Sequence, residues 1–311
     1  MTLTELKYIV ALARERHFGK AAESCFVSQP TLSVAIRKLE DKLGVTLFER
    51  GGAEVSMTPI GQRIVAQAHK VLQESETIRD IARLGHDPLA GPLHVGVIYT
   101  IGPYLLPKLI PLQIQKTPQM PLILQENFTV RLIELVRQGE LDCAIMAEPL
   151  PDAGLQSLVL YEEDFVVAVP SKHPWANKES IAADELKQEN MLLLGSGHCF
   201  RDHVLGVCPE LSHYSDTSEG MQRTFEGSSL ETIRHMVAAG IGVTVMPQTA
   251  VAATDPSESA LIRYIPFRDP VPSRQVVLAW RKTFTRLPAI EALAEAIMAT
   301  DLQGVRRELM V

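Results

Sequence analysis

The 311-residue chain contains no apolar run long enough to span a bilayer, for which a helix needs about 20 such residues. Its first apolar stretch, Tyr8 to Ala13, is short and runs into Arg14-Glu15-Arg16, unlike the apolar core of a secretory signal. Both absences predict a cytoplasmic protein with no membrane partner. In that reducing setting a permanent disulfide is not expected, although a transient one is allowed. A phosphate loop, a nucleophile elbow and a dinucleotide fingerprint are also missing. His17, His69, His86, His94, His173, His203, His213 and His235 stand at no metal-ligand spacing with the cysteines. No cofactor or metal is therefore expected, and the common nucleotide- and metal-dependent enzyme classes drop out. Excess positive charge is lacking too: a net charge of −7 argues against nonspecific nucleic-acid binding by the whole molecule.

Cysteine is scarce, four in all, and only Cys199 and Cys208 lie close together. They sit in His198-Cys199-Phe200-Arg201-Asp202-His203-Val204-Leu205-Gly206-Val207-Cys208. A neighbouring cation or a helix N-terminus favours the thiolate, the form that attacks oxidants. A second thiol nearby can resolve the oxidised sulfur into a disulfide. The same spacing also fits two unrelated, half-buried thiols. Cys143, inside an apolar stretch, reads as a core residue, and Cys25 as packing.

What is present is a soluble globular composition, 46% hydrophobic, over a length that implies two or three domains. The charge is uneven. Residues 1–84 carry 12 Lys+Arg against 10 Asp+Glu, and the remainder 18 against 27. Only the N-terminal part suits contact with DNA on charge grounds.

That part reads as three short helices. Leu3, Leu6, Ile9, Val10 and Ala13 recur at helical spacing, and Gly19 to Cys25 forms a second helix. A third follows Ser28 as N-cap, with Pro30 in its first turn, and ends before Gly44. Leu32, Ile36, Leu39 and Leu43 make its buried stripe. The opposite face carries Pro30, Thr31, Ser33, Val34, Arg37 and Lys38, with Gln29 at the start. Small polar groups and two cations suit a helix entering a major groove, and equally an ordinary solvated face. The order of elements favours DNA: two helices across a tight turn, then Val45–Phe48 and Glu54–Met57 flanking Gly51-Gly52 as a wing with Arg50 near its tip. Thr58-Pro59 opens a long helix. Its residues Ile64, Ala68, Val71, Ser75, Ile78 and Ala82 form a coiled-coil-like seam, which implies a homodimer.

Beyond Gly91-Pro92 strands and helices alternate, as in parallel-sheet α/β domains. Strands are predicted at Leu93–Ile98, Pro121–Gln125, Leu141–Ala147, Phe165–Val169, Met191–Leu194, Gly242–Met246 and Val276–Trp280. Helices are predicted at Tyr104–Gln115, Val130–Gln138 and Leu287–Ala299. Thr100 and Thr129 follow the first two strands. They could face a ligand cleft at the strand ends or simply cap helices.

The run Phe18-Gly19-Lys20-Ala21-Ala22-Glu23-Ser24-Cys25-Phe26-Val27-Ser28-Gln29-Pro30-Thr31-Leu32-Ser33, with Ile36-Arg37-Lys38-Leu39-Glu40, Leu43-Gly44, Leu47-Phe48-Glu49-Arg50 and Thr58-Pro59-Ile60-Gly61, resembles the LysR-type transcriptional regulators. The resemblance implies a winged helix-turn-helix over residues 1–58 and a dimerising linker helix over 59–88. Residues 91–311 would form a two-lobed regulatory domain like a periplasmic binding protein. One lobe would span about 91–163 and 268–311, the other about 164–267, joined by crossing strands near Glu162–Val167 and Arg263–Phe267. It also implies a homodimer assembling to a homotetramer on promoter DNA, with RNA polymerase as a partner. Gln29, Pro30, Thr31, Ser33, Val34, Arg37, Lys38 and Arg50 would touch DNA.

Further stretches, chiefly Gly102-Pro103-Tyr104-Leu105-Leu106-Pro107 and Gly197-His198-Cys199-Phe200-Arg201-Asp202, are similar to the family's hydrogen-peroxide-sensing members. By that likeness Cys199 is the peroxide-reactive thiol and Cys208 its resolving partner. Thr100, Thr129, His198 and Arg274 would bind peroxide, and a thiol reductant of glutaredoxin or thioredoxin type would reset the pair. Gly206-Val207-Cys208-Pro209 departs from the aromatic-flanked pattern of those members. Two rival readings stay open: a regulator that binds an organic inducer with silent cysteines, and a thiol peroxidase with an incidental DNA-binding head.

Overall fold

The computed structural model describes residues 1–49, 55–84, 87–150, 154–208, 224–252 and 260–307. The chain divides into two compact units, Met1–His86 and Asp87–Val311.

The first unit opens with α1 (Leu3–Glu15). Thr2 and Glu5 each accept the other's backbone amide, which satisfies two donors the helix leaves unpaired. Next come α2 (Phe18–Ser24), ended by Cys25, and α3 (Gln29–Leu43). Ser28 caps α3 through the amide of Thr31, and Gly44 closes it in the left-handed region at φ 68°. Leu32, Ile36 and Leu39 are buried in one core with Leu6, Ile9, Leu12, Ala21 and Ala22. Leu43, expected to extend that stripe, is 38% exposed, because the last turn of α3 projects beyond the core. Among the described residues the wing is a short pairing, β1 (Phe48–Glu49) antiparallel with β2 (Ser56–Met57). Its tip, with Arg50, Gly51, Gly52 and Glu54, lies outside the described residues. The Glu40 carboxylate accepts the amides of Leu47 and Phe48 at 2.8 and 3.2 Å and so ties α3 to the wing.

The long helix α4 (Pro59–Leu84) follows. Its first half is not a free seam. Val65 and Ala68 are buried, and Ile64 and Leu72 pack on them, in the core of the same unit. Val71 and Ile78 are exposed; the side chain of Ala82 lies outside the described ones. Spacings of three and four residues identify an apolar stripe without telling whether the same domain or another molecule covers it.

The second unit runs β3 (Leu93–Ile98), α5 (Gly102–Lys116), β4 (Leu122–Asn127), α6 (Thr129–Gln138), β5 (Cys143–Ala147) and β6 (Leu155–Pro170). Then come β7 (Met191–Leu194), α7 (Cys199–Val207), β8 (Thr224–Gly227), α8 (Leu230–Ala238), β9 (Thr244–Pro247) and α9 (Gln248–Ala252). It ends with β10 (Ile262–Pro266), β11 (Ser273–Arg281), α10 (Leu287–Met298) and β12 (Val305–Arg306). β3 lies parallel to β4 and β5, and β11 antiparallel to β5. The 16-residue β6 serves two sheets. Its first part pairs with β11, and the part from Phe165 onward pairs with β9 and β10. Two apolar cores result, one around β3, β5 and α10, the other around β7, α8 and the end of β6.

β6 thus contains the first crossing expected from the sequence. The second differs. β10 pairs only with Val166–Pro170, and the chain returns through residues 267–272 before β11. Apolar alternation marks a strand but not the sheet it joins.

Gly61, in the first turn of α4, sits where a Cβ would come within 2.1 Å of the Leu47 carbonyl oxygen, and Thr58 holds this corner by accepting the Gly61 amide at 2.9 Å and donating to Thr46 O at 2.7 Å. Gly61→Ala is therefore expected to lower the stability of the N-terminal unit by about 1–3 kcal/mol through overpacking, measured by urea denaturation. An unchanged midpoint would contradict this packing.

Candidate functional site

β3 and β4 run parallel, so their carboxyl ends open at one edge, where ligands collect in such sheets. A cavity of about 10 Å³ lies there, lined by Ile98, Tyr99, Thr100, Asn127, Phe128, Thr129, Gly197, His198 and Cys199. That is room for about one water-sized molecule. Ile98 and Asn127 end β3 and β4, Tyr99, Thr100, Phe128 and Thr129 follow them, and Gly197 and His198 lead into α7, which Cys199 opens. Thr100, Thr129 and His198 are each buried.

Both threonines fail as helix caps. Ile101 occupies the cap position of α5, and Phe128 that of α6 with no side-chain cap bond. Thr129, expected to cap α6, is its first residue instead, and its Oγ1 is buried without a hydrogen-bond partner. An unpaired buried hydroxyl costs about 1–3 kcal/mol, a cost that a polar ligand in the cavity would remove.

Arg274, expected at the peroxide, does not line the cavity. It reaches it through Thr100: Nη1 donates to Thr100 Oγ1 at 2.8 Å and Nη2 to Thr100 O at 3.0 Å. Nε donates to Glu163 Oε2 at 2.8 Å, and the guanidinium stacks 5.1 Å from the Phe200 ring centroid. Glu163 also accepts the Thr249 amide at 2.9 Å and the Thr249 hydroxyl. Arg274 positions the pocket rather than forming it. Arg201, the expected cation beside Cys199, donates to Leu194 O at 2.9 Å.

Cys199 is the first residue of α7, and Cys208 is the buried residue that ends it. Neither sulfur is in a disulfide. Phe200 and Val204 bury one face of α7, and His203 anchors it: its Nε2 lies 2.7 Å from Glu148 O. Burial holds the His203 imidazole below its usual pKa, opposed by the Glu148 carbonyl and, more weakly, by Asp202, and aided by Arg274. Burial lowers His198 as well, against a hydrogen bond to the Ser228 backbone. Cys143 is buried inside β5, and burial pushes its thiol pKa up. Among the described residues no cluster of metal-ligating side chains occurs, and no helix is long and apolar enough to cross a membrane.

In the first unit Gln29, Pro30, Thr31, Val34, Arg37 and Lys38 are exposed along α3, and Ser33 is half-buried between them. Arg50 lies outside the described residues. Sequence reasoning missed Tyr99, Asn127, Phe128, Glu163 and Thr249. Tyr99, Asn127 and Phe128 sit beside threonines already singled out, so strand-end position was a usable signal; for Glu163 and Thr249 there was none.

A winged helix-turn-helix unit and a two-lobed α/β unit together define a class of bacterial regulator. Residues 3–62 match the bacterial regulatory helix-turn-helix of the lysR family, and residues 86–301 match the LysR substrate binding domain. The chain belongs to the LysR family, and OxyR proteins are among its near-full-length relatives. It is 41% identical over 299 residues, 96% of its length and 95% of the relative's, to the DNA-binding transcriptional dual regulator OxyR of Escherichia coli K12. The structure of full-length Pseudomonas aeruginosa OxyR, a cysteine-to-aspartate variant, is similar with a TM-score of 0.75 at 51% identity, covering 97% of this chain and 99% of that one. A hydrogen-peroxide-bound cysteine-to-serine variant of Corynebacterium glutamicum OxyR matches at TM-score 0.63 and 32% identity over 96% and 91%.

The depressed histidines set a pH dependence. Below the unfolded value of about 6.5, the unfolded chain binds protons that the folded one refuses, so stability is present above that pH and is lost as pH falls toward the folded pKa. His203→Phe should flatten the rise in melting temperature of the full chain between pH 5 and pH 7. An identical slope in the variant would show that His203 does not contribute.

Proposed function

We propose that the chain is a DNA-binding transcriptional regulator that senses hydrogen peroxide through a reversible Cys199–Cys208 bond and acts in the cytoplasm. One observation carries this reading: Thr129 Oγ1, buried and unpartnered, lines a water-sized cavity together with Thr100, His198 and Cys199. Such a cavity suits a small polar oxidant. In the proposed reaction the Cys199 sulfur attacks one peroxide oxygen, the O–O bond breaks, and Cys199 sulfenic acid and water form. Thr129 and His198 orient the peroxide, and Arg274 holds Thr100 in place. Cys208 then displaces hydroxide from the sulfenic sulfur; with its thiol proton this leaves as a second water, giving the disulfide. A dithiol reductant returns both thiols and is itself oxidised.

The bond cannot form on an intact α7. Nine residues of helix separate Cα atoms by roughly 13.5 Å, whereas a disulfide needs them within about 7 Å. Oxidation therefore unwinds α7, and the refolded lobe alters how copies associate. The exposed part of α4 (Val71, Ile78) and an apolar groove of about 230 Å³ beside Ile110, Ile114 and Leu124 support assembly of homodimers into a homotetramer. The α3 face with Gln29, Pro30, Thr31, Ser33, Val34, Arg37 and Lys38, together with Arg50, contacts promoter DNA, and RNA polymerase is the downstream partner.

Stoichiometric peroxide should remove two hydrogens from the native chain, link the Cys199 and Cys208 peptides, and change the mobility of the protein–promoter complex. Cys199→Ser should do none of these. Thr129→Val, which keeps shape and deletes the hydroxyl, should slow Cys199 oxidation by about 10²-fold. A peroxide response that survives Cys199→Ser would overturn the reading.

A further inference from the structure

The cavity beside Cys199 has a polar interior and an aromatic outer rim. Its hydroxyls and imidazole are buried, while Tyr99 is 37% and Phe128 38% exposed. These two rings therefore stand between the polar lining and solvent. They close on each other and on His198, edge to face. Centroids lie 5.3 Å apart for Tyr99 and Phe128, 5.9 Å for Tyr99 and His198, and 4.9 Å for Phe128 and His198. Tyr99 and Phe128 come from the ends of β3 and β4, and His198 from the cap of α7. Gly197 completes the ring. At φ +98° it takes a conformation other residues resist, and a Cβ there would crowd the Phe128 ring at 3.3 Å.

We infer that Tyr99 and Phe128 form a collar that sets which hydroperoxides reach Cys199, admitting hydrogen peroxide and turning away those with an organic group. The inference rests on the reading of Cys199 as the peroxide-reactive thiol. The chemistry itself does not discriminate. For any hydroperoxide ROOH, the thiol S–H and the O–O bonds break, an S–O and an O–H bond form, and Cys199–SH with ROOH gives Cys199–SOH and ROH. Selectivity has to come from access. About 10 Å³ takes a water-sized molecule, and a tert-butyl group adds four carbons that must cross the plane of the collar. The rings pack on each other and on His198, and that packing narrows the opening.

The test measures second-order rates of Cys199 oxidation in the full reduced chain, by stopped flow, with hydrogen peroxide and with tert-butyl hydroperoxide as probes. Native protein, Phe128→Ala and Tyr99→Ala are compared, with thermal melting to verify folding. The native chain should favour hydrogen peroxide strongly, and the ratio of the two rates should fall by about 10-fold or more in Phe128→Ala, with a fall in the same direction in Tyr99→Ala. A native ratio near one, or a ratio unchanged in both folded variants, overturns the collar. If hydrogen peroxide leaves Cys199 unoxidised in the native chain, the sensor reading fails first; if it oxidises Cys199 with a ratio blind to both rings, the collar alone fails.

Discussion

A guanidinium and a carboxylate taken wholly out of water must neutralise each other where they stand, and the regulatory unit is arranged around one such pair. The side chains of Arg274 and Glu163 have no exposure, and their charged atoms lie 2.8 Å apart. Removing one partner from a buried pair costs about 3–5 kcal/mol, because the other charge stays stranded. That cost fixes everything the pair touches. Glu163 holds the start of α9 through Thr249, and Arg274 holds both the hydroxyl and the carbonyl of Thr100 at the cavity. Its guanidinium also lies over the ring of Phe200 in α7. One interaction thus sets the crossing strand, the polar side of the cavity and the seat of the helix that carries both cysteines.

The helix itself is held less firmly. Burial of Phe200 and Val204 contributes about 1.5–3 kcal/mol each, and His203 adds one hydrogen bond to Glu148 O. On the proposed mechanism the disulfide constrains the unwound segment by roughly 2.7 kcal/mol. Both terms oppose the bridged form, so on this mechanism the change of fold is driven by the reduction of peroxide, and the return by a dithiol whose potential counts at about 1.4 kcal/mol per 30 mV.

Much of this architecture was legible in the sequence wherever the signal is local. Ser28 and Gly44 bound α3 because a short hydroxyl and a left-handed glycine are what helix ends demand, and β3 and β7 occupy the residues expected of them. Contacts distant in the chain were not legible. Arg274 and Glu163 are 111 positions apart, and no pattern couples them, so Arg274 was expected at the peroxide instead of behind Thr100. Thr129 looked like a cap because Ser and Thr usually are one before a helix; only the structure reveals that α6 starts at Thr129 and leaves its hydroxyl unpaired. The stripe of α4 was assigned to a partner because a sequence does not say which surface covers an apolar face. Tyr99 and Phe128 carry no motif at all, and their importance follows from where two strands end.

The central claim is that Cys199 and Cys208 join only when α7 unwinds. Hydrogen exchange on the backbone amides of residues 203–208, followed in the reduced chain and after stoichiometric peroxide, tests it most directly. In the reduced form these amides are helical, with Cys208 N donating to Val204 O at 3.3 Å, and slow exchange is predicted. After oxidation they should exchange at rates close to those of unstructured peptide, in step with formation of the disulfide seen by mass. A Cys199–Cys208 disulfide formed while those amides stay protected would contradict the account.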